Sequence, residues 1–294
     1  MSSNRDSQFP WHDPARDDAH DAHDAHDAHD AHDAHDAHDA HDGHDGHDGH
    51  DAHGGLGIDG THRVDATGGQ SAVVDLGRAE RCGLPEAIYG DGKPAELIIR
   101  IVAAQIAAGQ TALVTRVADD AANRLVERFD HVCHHRIART AIVSPRAIEP
   151  LEPSSPDVPH VAVITAGSTD APVAAEAIQT LHWSGTPHRT YDDIGVAGPQ
   201  RLSERINSIR AASIVIVVAG MEGALPSVVA GHVAVPVIAV PTSVGYGANL
   251  SGITPLLSAL ASCAPGVMTV GIDAGYKAAH SATLIMRLTH RPPG

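Results

Sequence analysis

Apolar residues in the second half of the chain fall into short unbroken runs, VAVIT at 161–165, SIVIVV at 213–218 and VPVIAV at 235–240. Runs of this length without polar alternation read as strands buried on both faces. Between them the apolar positions take helical spacing over 172–177, 200–210, 225–230, 252–262 and 274–288, with shorter strands expected at 188–191 and 267–271. Strands alternating with helices predict a parallel sheet covered on both faces, an α/β domain over 159–294. In such a sheet ligands collect where strands end. The loops expected to gather there are 167–172, 191–198, 219–227, 241–252 and 262–266.

The first half carries a weaker version of the same pattern. A helix is expected over 94–108, with Leu97, Ile98, Ile101, Val102, Gln105 and Ile106 on one period and Gly109 as its stop. A strand at 111–117, a helix at 118–130 and a strand at 140–143 complete a smaller α/β domain over 71–144. His131, Cys133, His134 and His135 are too close in sequence to surround one ion, and they read as a polar helix end leading into the last strand. Residues 145–158 form a Pro-rich linker to the second domain.

Composition changes the picture mainly at the N-terminus. His recurs every third residue at His20, His23, His26, His29, His32, His35, His38, His41, His44, His47, His50 and His53, in Asp-Ala-His and Asp-Gly-His units. A period of three fits neither an amphipathic helix nor a half-buried strand, so 1–70 is expected to be a disordered tail and linker. Dense imidazole beside carboxylate can chelate nickel or zinc, and a replication-expanded, solvated linker is the alternative. Residues 1–70 hold 17 Asp and 3 Arg, a balance of −14 out of the whole chain's −16, which leaves −2 for the rest. The foldable part therefore lacks the basic footprint of a nucleic-acid binder. No apolar run approaches the ~20 residues of a membrane span and no apolar signal core is seen, so a cytoplasmic protein is expected. Three scattered cysteines agree with a reducing compartment.

Several residues carry candidate chemistry. The turn Gly167-Ser168-Thr169-Asp170 joins a buried strand to a helix whose first amides lack partners, a place that can hold an anion or simply cap the helix. Thr115 and Arg116 stand at the end of a strand, again where ligands collect. The loop over 73–93 offers Arg78, Arg81, Glu86, Tyr89 and Lys93 as a possible ligand-binding face, although each charge could equally be a surface group.

Taken together, the loops GSTD, AGMEGALPSVVAG and PVIAVPTSVGYGANLSGITPLLSALASCAPGV, preceded by RAERCGLPEAIYGDGKPAELI and ALVTR, resemble the LarB family. Its members are pyridinium-3,5-biscarboxylic acid mononucleotide synthases with a PurE-like (AIR carboxylase) C-terminal domain of Rossmann-like or flavodoxin-like type. The resemblance implies carboxylation of nicotinic acid adenine dinucleotide at C5 by CO2, with release of AMP, in nickel-pincer cofactor biosynthesis. An electron-poor pyridinium does not attack CO2, so a nucleophile must first add to the ring, and a thiolate suits this. The resemblance points to Cys263 for that role, and the substrate's own cationic ring would favour its thiolate. Glu222 is the expected base, provided its loop desolvates it enough to raise its pKa. Ser168, Asp170 and Asp193 are expected on substrate or CO2, and Arg78, Arg81, Lys93, Thr115 and Arg116 on pyrophosphate, carboxylate or adenylate oxygens. Mg2+ on the pyrophosphate and a homo-oligomer, octameric by analogy, are implied as well. Gln200 departs from the His expected of the family at that point. The rival functions are an aminoimidazole ribonucleotide carboxylase or mutase and a nickel-storage protein.

Overall fold

The computed structural model describes residues 60–66, 69–149 and 158–289. The His-rich stretch from His20 to His53, with the metal ligands expected there, lies outside the described residues.

The fold begins earlier than the expected boundary at residue 70. Strands β1 (Thr61–Asp65) and β2 (Ser71–Asp75) pair antiparallel with Thr61 opposite Asp75. Val64, Ala66 and Val74 are buried in the first domain's core. A strand this short and polar has no clear period of its own, and pairing supplies what the pattern lacks.

The chain continues through α1 (Arg78–Cys82), β3 (Ile88–Tyr89), α2 (Ala95–Ala107), β4 (Ala112–Thr115), α3 (Asp119–Arg128), β5 (Val132–His135) and β6 (Thr140–Val143). The four-stranded sheet runs β3-β4-β6-β5, with β3 parallel to β4 and the other pairs antiparallel. Residues 132–135, expected as the end of a helix, are therefore an edge strand. All four are half-buried, as suits a strand paired along one side only.

The second domain alternates as its pattern predicts: β7 (Val161–Thr165), α4 (Ala171–Trp183), β8 (His188–Tyr191), α5 (Pro199–Ile209), β9 (Ile214–Ala219), α6 (Leu225–Ala230), β10 (Val237–Pro241), α7 (Ile253–Leu260), β11 (Val267–Thr269) and α8 (Gly275–Thr289). The five strands are all parallel, in the order β8-β7-β9-β10-β11. Alternation sorts the side chains between two cores. Val161, Val163, Ile214, Ile216 and Val218 pack toward α4 and α8, whereas Ala162, Ile164, Val215 and Val217 pack toward α5 and α6. A one-residue slip would exchange the two sets, so burial on both faces fixes the register.

The two domains meet along α4 and α8. Trp183 donates its indole N–H to the Thr111 carbonyl at 2.8 Å. Arg116, just past β4, donates to Glu176 Oε1 of α4 at 3.2 Å and to the Asp273 carbonyl at 2.6 Å. Arg287 of α8 donates to the Gly83 carbonyl. The end of β4 is thereby brought to the strand-end edge of the larger sheet.

Candidate functional site

In the order β8-β7-β9-β10-β11 the chain leaves β7 toward one side and later returns to its other side as β9. Open parallel sheets bind ligands at the strand ends where such a reversal leaves a crevice. A cavity of about 190 Å³ lies at that place. Its walls come from Gly167, Thr169 and Asp170 after β7, Val196 and Arg201 after β8, and Gly220 and Glu222 after β9. Most of the lining is small or apolar. A cavity of roughly 150 Å³ holds a benzene molecule, so this one has room for a single aromatic ring and not for a nucleotide.

Close backbone approach defines the walls. A Cβ at Gly195 would stand 2.6 Å from the Ala166 carbonyl oxygen, and one at Gly220 would run into the Val244 carbonyl. Asp170, only 3% exposed, ties the loops together. Its Oδ1 accepts from the Thr242 hydroxyl at 2.7 Å and its Oδ2 from the Gly167 amide at 3.0 Å. Burial pushes its pKa up, partly offset by the hydrogen bonds from Thr242, Gly167 and Gly220. The carboxylate expected on substrate is thus committed to organising the site. Ser168, beside it, is exposed and is not part of the cavity lining.

The other acids stand at the rim. Asp193 pairs with Arg201 Nη1 at 2.7 Å, and the arginine lines the cavity. Glu222 lines it too but is exposed, so a single protomer does not desolvate it.

A second cavity, about 260 Å³, shares Thr169 and Val244 with the first and lies between the two domains. Arg116, Arg139, Glu176, Ser243 and Asp273 contribute its polar groups. Glu176 is buried in α4, its second oxygen accepting from the Tyr276 amide at 3.1 Å. Among the described residues, five of the seven non-glycine positions with positive φ are Arg116 (52°), Arg139 (50°), Asp193 (56°), Met221 (52°) and Asp273 (55°). Four of them line one cavity or the other, and Asp193 holds the arginine of the first. Each left-handed residue costs roughly 1–2 kcal/mol, and such strain concentrates at functional sites.

The remaining expected residues lie farther out. Thr115 is buried beside Arg116, and its carbonyl accepts from Gly90 at 2.7 Å. Lys93 donates to the Tyr89 carbonyl at 2.7 Å in the adjoining turn. Arg81 pairs with Asp75 at 2.5 Å, and the charge of Arg78 acts on Tyr276 and His280. Neither arginine lines the two cavities.

Cys263 is placed differently from expectation. Residues 262–266 precede β11, and the Gly266 carbonyl accepts from the amide of Val237, the first residue of β10. This loop therefore lies at the edge where strands begin, opposite the loops that carry Asp170 and Glu222. The expectation that all five loops share one edge fails here because a segment that enters a parallel strand cannot lie beside those that leave it. Cys263 itself is exposed.

Arg139, Glu176, Arg201 and Thr242 were not singled out from the sequence. Glu176 left a trace, as a carboxylate among the alanines of the apolar stripe Val173, Ala174 and Ala177. Arg139 and Thr242 depend on loop conformations that periodicity does not encode, and Arg201, on α5, is marked only by its pairing with Asp193.

The domain that holds the sheet and its strand-end cavity, residues 160–292, matches the AIR carboxylase family. Residues 66–146 match the LarB/PurE-like N-terminal domain, and the chain with this pair of domains belongs to the LarB family. It is 37% identical over 226 residues to the uncharacterized protein MJ0165 of Methanocaldococcus jannaschii, covering 74% of this chain and 85% of that protein. It is similar to the N5-carboxyaminoimidazole ribonucleotide mutase of the same organism, 35% identical over 133 residues, covering 44% of this chain and 79% of the mutase. The crystal structure of a PurE2 variant from Treponema denticola aligns with a TM-score of 0.37 at 21% identity, covering 44% of this chain and 80% of that one. The family is related to the AIR carboxylases, a carboxylase and mutase type of enzyme. Among the described residues no helix is long and apolar enough to cross a membrane.

Proposed function

We propose that the protein carboxylates C5 of the pyridinium ring of nicotinic acid adenine dinucleotide and hydrolyses the phosphoanhydride. The products are AMP and pyridinium-3,5-biscarboxylic acid mononucleotide, a precursor of the nickel-pincer cofactor. The observation that carries this reading is the LarB-type N-terminal domain set against the strand-end edge of the carboxylase sheet, beside a cavity sized for one aromatic ring.

In this mechanism the Cys263 thiolate adds to C4, and the ring becomes a dihydropyridine in which N1–C6=C5 is an enamine. C5 then forms a bond to the carbon of CO2 while the positive charge returns to nitrogen. Glu222 takes the C5 proton, which restores the enamine, and expulsion of the thiolate from C4 regenerates the aromatic pyridinium. Water cleaves the phosphoanhydride in a separate step.

Cys263 and Glu222 lie at opposite edges of one protomer's sheet, so the thiol is proposed to come from a second copy. Leu250, Ile253, Leu257 and Leu260 are 64%, 43%, 58% and 65% exposed and lead directly to Cys263. Covering that apolar face with another copy would bury it, desolvate Glu222 and complete the site. This gives the expected homo-oligomer a chemical role.

The described residues do not assemble a site for a resident Mg2+. Among the described residues no group of three or more His, Cys, Asp or Glu could hold a metal ion. Glu176 is occupied by Arg116 and the Tyr276 amide, and Asp273 Oδ1 by the Ser243 amide. No step is assigned to such an ion. The His-rich stretch is proposed to chelate nickel or zinc separately from the reaction.

The test is incubation with nicotinic acid adenine dinucleotide and 13C-bicarbonate, followed by mass spectrometry. AMP with a singly labelled dicarboxylated mononucleotide supports the reading. Turnover of a carboxyaminoimidazole ribonucleotide with no reaction of the dinucleotide would instead assign the mutase activity of the relatives.

A further inference from the structure

From the paired cavities we infer that the interdomain cleft between Arg116 and Arg139 is a second anion subsite, which takes the adenylate end of a dinucleotide whose pyridinium ring fills the first cavity. The inference rests on the proposed substrate and assigns the half of it that the first cavity has no room for. At about 190 Å³ that cavity accepts a ring, while the adjoining cleft adds about 260 Å³ across the shared wall of Thr169 and Val244.

The two arginines of the cleft are held very differently. Arg116 is anchored by Glu176 and the Asp273 carbonyl, so it fixes the floor and is already neutralised. Arg139 is 51% exposed and has long contacts, 3.4 Å to the Arg116 carbonyl and 3.6 Å to Asp91. Such a guanidinium can turn to an incoming phosphate without breaking a strong bond, and its planar donors match phosphate oxygens in bidentate fashion.

The turn paired with Arg139 carries the other groups a nucleotide would use. Asp91, the partner of Arg139, belongs to the turn that also carries Tyr89 and Lys93, and the Gly90 amide of this turn donates to the Thr115 carbonyl at 2.7 Å. Tyr89 is 55% exposed, with the Lys93 ammonium 5.9 Å from its ring centre. An exposed aromatic ring offers a base a stacking face. One guanidinium for phosphate in the cleft is thus linked through Asp91 to a turn that carries one ring for the base and one further cation.

The test compares the two halves of the substrate as separate probes. Binding of AMP and of nicotinic acid mononucleotide to the full chain is measured by calorimetry for the unaltered protein, Arg139→Ala, Arg139→Lys and Tyr89→Ala. Loss of a hydrogen bond to a charged group corresponds to about 10- to 100-fold in affinity. Arg139→Ala should weaken AMP by at least about tenfold and leave the mononucleotide within about twofold, with Arg139→Lys restoring part of the loss. Tyr89→Ala should weaken AMP but not inorganic pyrophosphate. Equal weakening of both halves, or of neither, would overturn the assignment. Formation of the dicarboxylated product by the unaltered protein is scored separately, so failure of the subsite and failure of the proposed reaction are distinguishable.

Discussion

Removing the Glu176 carboxylate tests whether the two domains are held at a geometry on which the cleft depends. Glu176 is 5% exposed and accepts from two donors, Arg116 Nε at 3.2 Å and the Tyr276 amide at 3.1 Å. Leaving a buried donor unpaired costs about 1–3 kcal/mol. The Arg116 side chain is 35% exposed, so water partly replaces its lost partner, and about 1 kcal/mol is the fitting allowance for that pair. Glu176→Ala should therefore cost about 2–4 kcal/mol, and Glu176→Gln, which keeps one acceptor, about 1–2 kcal/mol. For a folded region of this size 1 kcal/mol moves Tm by about 2–4 °C. Calorimetric melting of Glu176→Gln, Arg116→Met and the double variant gives the coupling directly, expected near 1 kcal/mol. A melting point unchanged in Glu176→Ala, or strictly additive single effects, would refute the claim that this ion pair joins the domains.

Other consequences follow from the same geometry. Gly195→Ala places a methyl group against the Ala166 carbonyl, where 2.6 Å is available, and should cost about 1–3 kcal/mol of stability in urea denaturation; a neutral result would mean that the wall is not rigid. Burial raises the pKa of Asp170, so the native state binds its proton more tightly than the unfolded chain. The stability gained is complete below the unfolded value near ~4 and is lost as pH rises through the folded value. The deficit of Asp170→Asn should therefore shrink from pH 4 to pH 7 in urea midpoints, and a deficit that grows would show the hydrogen bonds to the carboxylate outweighing burial. Mixing inactive Cys263→Ser with inactive Glu222→Gln, after dissociation and reassembly, should restore part of the activity, because some sites would then combine one intact group from each copy. Complete absence of recovery in mixed oligomers of confirmed composition would speak against a thiol supplied across copies.

The larger sheet was legible in the sequence because its strands are buried on both faces and so are written as unbroken apolar runs. The helices between them were equally clear from their period. Edge elements were not. THRVD at 61–65 and VCHH at 132–135 need only one covered face or one paired side, and their patterns do not distinguish them from loop. At the site, the turn residues Gly167 and Asp170 were visible as residue types, but the commitment of Asp170 to Thr242 and Gly167 depends on a contact 72 positions apart. Cys263 stands at the other edge because its loop leads into a strand, whereas the remaining four loops leave one. Direction of entry into a strand decides the edge, and that could have been read from the order of elements alone. Arg139 has no pattern signal at all, since its place in the cleft follows from a left-handed backbone at φ 50°.

The proposed reaction turns on covalent addition of the Cys263 sulfur to the nicotinate ring. Rapid acid quench of the protein turning over nicotinic acid adenine dinucleotide and bicarbonate, after borohydride reduction, followed by peptide mass spectrometry, tests it directly. A pyridine-derived adduct is expected on the peptide that contains Cys263, lost in Cys263→Ser. An adduct on Cys82 or Cys133, or full product formation by Cys263→Ser, would contradict it.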